Sequence, residues 1–180
     1  GGGASAILSP FAATGQSPDV DLWLNPANEK RSRADQRRFF AEAAKTVKPY
    51  LDAGKLKPFS GETAILPGIT ALPTPGHTPG HSFYRVASKG ESIEFWGDIL
   101  HFGSVQFPKP EITVVYDFDS TAAAVQRATQ FANAEKSRRL VAAAHLPLGR
   151  GHANQYPSPG GRRPTPIAVS SHRHPFAGFF

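Results

Sequence analysis

Among its 180 residues the chain has no cysteine and no methionine, no histidine before His77, and no acidic residue after Glu135. Without thiols there are no disulfides and no thiolate-held metal, so any bound metal must rest on imidazole and carboxylate. No apolar run approaches the roughly 20 residues needed to span a bilayer, and a membrane partner is not expected. The start lacks a basic segment ahead of an apolar one, so it does not read as a signal peptide. With no initiator methionine, a processed or truncated start is expected, and the compartment is left open.

The missing acids also explain the charge. The formal net charge is +6, but residues 1–145 account for only +2, while residues 146–180 carry four arginines and no acid. A high isoelectric point that describes mostly a tail is weak support for nucleic-acid binding. Basic residues are not interleaved with aromatics on any strand-like run either, so no nucleic-acid partner is expected.

What is present is enough for one folded domain with a sizeable core: 39% hydrophobic residues, with thirteen phenylalanines. The 17 prolines and 17 glycines predict many loops. Composition divides the chain into an atypical, uncharged segment at 1–18, expected to be poorly ordered, a domain at 19–152, and a basic Pro/Gly/Arg/His tail at 153–180. The tail, whose character begins after Leu146, cannot bury enough surface to offset its ordering entropy and is expected to be disordered.

Within the domain, Phe39, Phe40, Ala43, Ala44 and Val47 fall on one face of a predicted helix over 32–51, with Gly54 as its stop. Strands are predicted at 62–69 and 69–72 around the Pro67-Gly68 turn, and at 82–87 and 92–96 as a hairpin through Lys89-Gly90. Residues 112–116 read as another strand. Asp119 or Ser120 caps a helix to about Lys136, with Ala122, Val125, Ala128, Thr129 and Ala132 inward. Residues 140–144 form an apolar run, read as a buried strand ending at His145.

The chemistry gathers around Pro73-Thr74-Pro75-Gly76-His77-Thr78-Pro79-Gly80-His81. Taken alone, a loop histidine is a polar loop residue. This loop is more specific than turning requires, and its prolines and glycines fix the backbone that presents His77, a candidate zinc ligand. His81 reads better as a hydrogen-bonding support. Asp98 follows Gly97 at the end of the 92–96 strand; an acid there commonly starts a turn, but its two oxygens could also bridge two cations. His145, at the mouth of the sheet, is either a satisfied core histidine or a third ligand. His101 and His152 read as pocket or supporting residues, and His172 and His174 as irrelevant.

Three stretches, Thr74 to His81, Gly97-Asp98 and Ala144-His145-Leu146, resemble in this order the later half of a metallo-β-lactamase-fold hydrolase. The texture is most similar to the methyl parathion hydrolase-like branch, with support from Asp21-Leu22-Trp23-Leu24, Lys55 to Gly61, Val105-Gln106-Phe107 and Asp117-Phe118-Asp119-Ser120. The resemblance covers roughly residues 19 to 152. It implies an α/β (α+β) fold, the αββα sandwich, here incomplete. It also implies a binuclear centre of two divalent ions, zinc by family. His77 would bind one ion, Asp98 would bridge both, and His145 would bind the other. Trp23, Phe39 or Phe40, and His101 would line an apolar substrate pocket.

The implied activity is metal-dependent hydrolysis of a small ester-like substrate, an organophosphate triester or a lactone. One departure is large: the superfamily's His-x-His-x-Asp-His motif should lie upstream of His77, where there is no histidine at all. Four metal-binding side chains are therefore absent. The expectation is a fragment, or a core flanked by reading-frame errors, with weak metal binding and poor turnover. The alternative is an inactive or association-dependent fragment, for which a homodimer is one outcome.

Overall fold

Short apolar–polar alternations bounded by Gly and Pro make strands too brief to stand alone, and the chain resolves this by pairing them in two separate sheets. The computed structural model describes residues 13–146, which fall into two compact units divided between Ser60 and Gly61. Expectations for residues 1–12 and 147–180, including His152, His172 and His174, lie outside the described residues.

In the first unit, β1 (Ala13–Gln16) pairs in parallel with β2 (Leu56–Phe59). Residues 13–18, grouped by composition with the N-terminal segment, carry β1 and the start of α1 (Ser17–Trp23). Then follow α2 (Pro26–Arg31), α3 (Arg37–Thr46) and α4 (Lys48–Asp52). The single helix expected over 32–51 is thus broken. Ser32 is extended and ends α2. Pro49 lies in the first turn of α4, the one place where its missing N–H costs little, so a new helix starts there. Of the expected apolar face, Phe40 and Ala43 are buried and Ala44 is exposed.

The second unit is a five-stranded sheet in the order β3 (Thr63–Leu66), β4 (Ile69–Pro73), β5 (Ser82–Ser88), β6 (Glu91–Phe95), β7 (Leu140–Ala142). Neighbours are antiparallel except β6 and β7. That parallel pair needs a long crossover, which contains α5 (Gly103–Gln106) and α6 (Ser120–Ser137). Lys89 and Gly90 both have positive φ, 51° and 83°, as a tight hairpin of this twist requires. Asp119 caps α6 by accepting from the Ala122 N–H.

One face of the sheet carries the core. Phe83 and Trp96 stack at 5.3 Å, and Trp96 stacks on Phe131 of α6 at 5.5 Å, with Ile99, Leu100 and Val141 around them. The inward side of α6 differs from expectation: Ala123 and Arg127 are buried, whereas Val125, Ala128, Thr129 and Ala132 are exposed. An Ala-rich helix offers little apolar contrast, and the buried stripe is fixed by what Arg127 binds.

The expected strand over 112–116 is irregular loop and turn. Some of its backbone groups go to side chains and others to local turns, instead of a neighbouring strand. The Ile112 carbonyl accepts from Arg127 and Gln106, and the Val114 N–H donates to Asp117.

On the other face, register puts Tyr84 with Phe95, Val86 with Ile93, and Ile93 with Leu140. Directly opposed residues share a side, so this face is apolar. Phe95 is 45% exposed and Leu140 40%.

Candidate metal centre

The loop between β4 and β5 is held from both ends. The Thr74 N–H donates to the His81 carbonyl at 2.8 Å, and the Gly76 N–H to the Thr78 carbonyl at 3.0 Å. The loop then docks on the entry to α6, where the Phe118 and Asp119 N–H groups donate to the carbonyls of His77 and Gly76. Gly76, at φ 144°, faces the α6 backbone so closely that a Cβ would stand 2.4 Å from the Ala123 nitrogen. This close approach places His77.

The His77 imidazole is held at both nitrogens. Nδ1 lies 2.9 Å from Asp117 Oδ1, and Nε2 lies 3.5 Å from Asp98 Oδ2. Asp117 is fully buried; its other oxygen accepts from the Val114 N–H and stands 3.6 Å from Arg127 Nη2. Burial pushes the Asp117 carboxyl up, but the His77 and Val114 hydrogen bonds and the Arg127 charge outweigh it and hold it below the usual range. Arg127, itself buried, also donates to the carbonyls of Ile99, Pro110 and Ile112 at 2.7–2.8 Å.

Asp98 sits in a 3₁₀ turn (Gly97–Ile99) directly after β6. Its backbone N–H donates to His81 Nε2 at 3.1 Å, which leaves the proton on His81 Nδ1, facing Thr74 Oγ1 at 2.8 Å and the Thr74 carbonyl at 3.1 Å. His81 is thus a neutral support, its pKa lowered to about 4 by burial and then by repulsion from His77. Asp98 Oδ1 meets His145 Nε2 at 2.9 Å. Burial raises the Asp98 carboxyl, yet the His145 hydrogen bond and the charges of His77 and His101 hold it low. The same hydrogen bond pushes the His145 imidazole up.

The structure therefore brings His77, Asp98 and His145 together, one imidazole at each carboxylate oxygen. It adds His101, buried, its ring stacked on His145 at 4.5 Å and 5.2 Å from His77. Burial lowers the His101 pKa to about 3. Trp23 and Phe39 belong to the first unit; Trp23 is buried and meets Phe40 and Phe39 edge-on at 4.9 and 6.2 Å.

Sequence reading did not single out Asp117, Arg127 or Gln106 as site residues. Asp117 lies next to the α6 cap and reads as a turn acid. Arg127 had a signal: it is the sole charged residue between Ser120 and Ala134.

These side chains fit a divalent ion. A ring nitrogen of His77, one of His101 and a carboxylate oxygen of Asp98 lie within 4.8 Å of one another. Ligand bonds of about 2.0–2.2 Å bring such atoms onto one ion with small rotations. A set of imidazole and carboxylate without sulfur suits zinc and its first-row neighbours.

No protein-family model and no curated protein matches the chain. Solved structures do. Hydrolase AbOPH of the β-lactamase superfamily is 32% identical over 76% of this chain and 48% of its own, with a TM-score of 0.68. AidC, a dizinc quorum-quenching lactonase, is 19% identical over 74% and 47%, with a TM-score of 0.58. An N-acyl homoserine lactone hydrolase, with its product at the catalytic metal centre, is 19% identical over 71% and 44%, with a TM-score of 0.50. The chain spans about half the length of the structures it matches.

Proposed function

Because the chain belongs to the metallo-β-lactamase superfamily of hydrolases, we propose that it serves metal-dependent hydrolysis of an ester-like bond in a small molecule, an organophosphate triester or a lactone. The observation that carries this is the Asp98 carboxylate, with His77 Nε2 at one oxygen and His145 Nε2 at the other. Such an acid would suit a binuclear centre of the methyl parathion hydrolase-like kind, with His77 and His145 holding the ions beside it.

Divalent ions, zinc by donor type, would lower the pKa of water towards 7 and offset charge developing on the substrate oxygen. The chain's own residues do the positioning. Asp117 accepts a hydrogen bond from the Nδ1–H of His77 and so leaves the Nε2 lone pair free for a metal. His81 fixes the backbone of Asp98 through its N–H. A two-ion centre needs more donors than these described residues supply, which is why weak turnover is expected.

The test is to purify the chain, add zinc, and follow a chromogenic phosphotriester and a lactone. Slow turnover that disappears in His77→Ala supports the reading. Hydrolysis no faster than zinc in buffer, for both substrates, removes it for this chain.

A second reading has its own observation, the apolar sheet face bearing Tyr84, Ile93, Phe95 and Leu140. Such a face favours self-association, and the chain would then act only as part of a homodimer or larger assembly. Gel filtration separates the two, since a monomer at all concentrations excludes association.

A further inference from the structure

His101 is the histidine the proposed function leaves without work, yet its backbone is anchored firmly into the centre. Its backbone N–H and that of Phe102 both donate to Gln106 Oε1, at 2.8 and 3.0 Å, and Gln106 is buried. Gln106 Nε2 donates to the Ile112 carbonyl at 3.0 Å, and Arg127 Nε to the Ile99 carbonyl at 2.7 Å. The turn from Ile99 to Phe102 is thereby fixed from two sides. His101 is only 7% exposed, and its Nδ1 has no hydrogen-bond partner among the described residues.

A buried imidazole nitrogen without a partner costs free energy unless something satisfies it. The group at hand is the pair His77 and Asp98, which with a ring nitrogen of His101 forms a cluster within 4.8 Å. His145 lies outside that cluster, hydrogen-bonded to Asp98 Oδ1 and about one-third exposed.

Resting on the metal-hydrolase reading, we propose that this chain by itself holds a single divalent ion on His77, Asp98 and His101, with His145 supporting Asp98 from outside. Two imidazoles and one carboxylate, with a further position open to water, form a self-sufficient set of the kind found in single-ion hydrolytic sites. It needs none of the donors absent upstream of His77. The difference from the two-ion reading lies in the exchange of roles between His101 and His145.

The test is binding rather than catalysis. The chelator-treated full chain is titrated with cobalt(II), following its visible absorption bands, and zinc stoichiometry is measured by equilibrium dialysis. One ion per chain is expected. His101→Ala and His77→Ala should each weaken binding more than a hundredfold, whereas His145→Ala should weaken it about tenfold. Circular dichroism of the metal-free variants reports folding. Without any variant, zinc should move the ring ¹⁵N signals of His101 in the unsubstituted chain. Binding by His101→Ala within twofold of the parent, with His77→Ala defective, overturns the His101 assignment and leaves the metal reading standing. No binding by the unsubstituted chain at millimolar zinc overturns both. Unmoved His101 ring signals at saturating zinc also overturn the assignment.

Discussion

Asp117 Oδ1 stands 2.9 Å from Nδ1 of His77, and this contact decides which ring nitrogen faces Asp98. The two residues are 40 apart in sequence and meet because the 74–81 loop docks on the start of α6. Removing such an orienting carboxylate typically weakens metal binding about 10–100-fold. Asp117→Ala is therefore expected to raise the zinc Kd by that factor, measured by isothermal titration against the unsubstituted chain. An unchanged Kd would show that His77 needs no orientation from this side.

Gly76→Ala is expected to destabilise the chain strongly. The added Cβ would meet the backbone of Ala123 at 2.4 Å, in a φ region that side chains rarely adopt. Strained backbone of this kind costs about 1–3 kcal/mol before the clash is counted. Urea unfolding should show a lower midpoint with an unchanged slope.

Arg127→Met keeps an apolar stem but takes a donor from three carbonyls, of which that of Ile112 keeps its bond from Gln106, and leaves Asp117 without its cation. Breaking a buried pair on one side costs about 3–5 kcal/mol. The variant is expected to lose a large part of its unfolding free energy and, through Asp117, some metal affinity. A loss below 1 kcal/mol would mean that the guanidinium is readily replaced by packing.

Stability of the metal-free chain should fall with acid well above the carboxylate range. His81 is held neutral when folded, its pKa lowered from 6.5 to about 4 by burial and by repulsion from His77. Between those values the unfolded chain binds a proton that the folded chain refuses. The contribution is thus full above pH 6.5, declines by about 1.4 kcal/mol per pH unit, and levels off near pH 4. His145, raised by its bond to Asp98, acts in the opposite sense: its contribution is present at low pH and is lost as pH rises through its folded value. His101, lowered by burial to about 3, acts in the same sense as His81. Urea midpoints in chelator at pH 7, 6 and 5 should fall, and His81→Gln should reduce the slope without abolishing it.

Local chemistry was readable where it is governed by neighbours in sequence. The Lys89-Gly90 hairpin, the Pro67-Gly68 turn and the Asp119 cap follow from residue types that permit few conformations. His77 and Asp98 stood out for a similar reason, His77 in a Gly/Pro loop after β4 and Asp98 following Gly97 just past β6. The helix over 32–51 was misjudged because apolar spacing does not reveal that Pro49 must begin a helix rather than continue one. The strand over 112–116 was misjudged because its β-branched residues suggest pairing, while Arg127, Gln106 and Asp117 claim its backbone groups instead.

The sequence by itself determined the kind of ligand this chain can offer, imidazole and carboxylate without thiolate, and the order of strands that delivers them. Tertiary structure alone decided which histidines do which work. His81 became a neutral prop because Asp98 donates its N–H to it, and His101 was left with a buried nitrogen that meets no partner among the described residues. A ring's role depends on what approaches each of its two nitrogens. Those approaches come from residues as many as 47 positions apart, which no local pattern records.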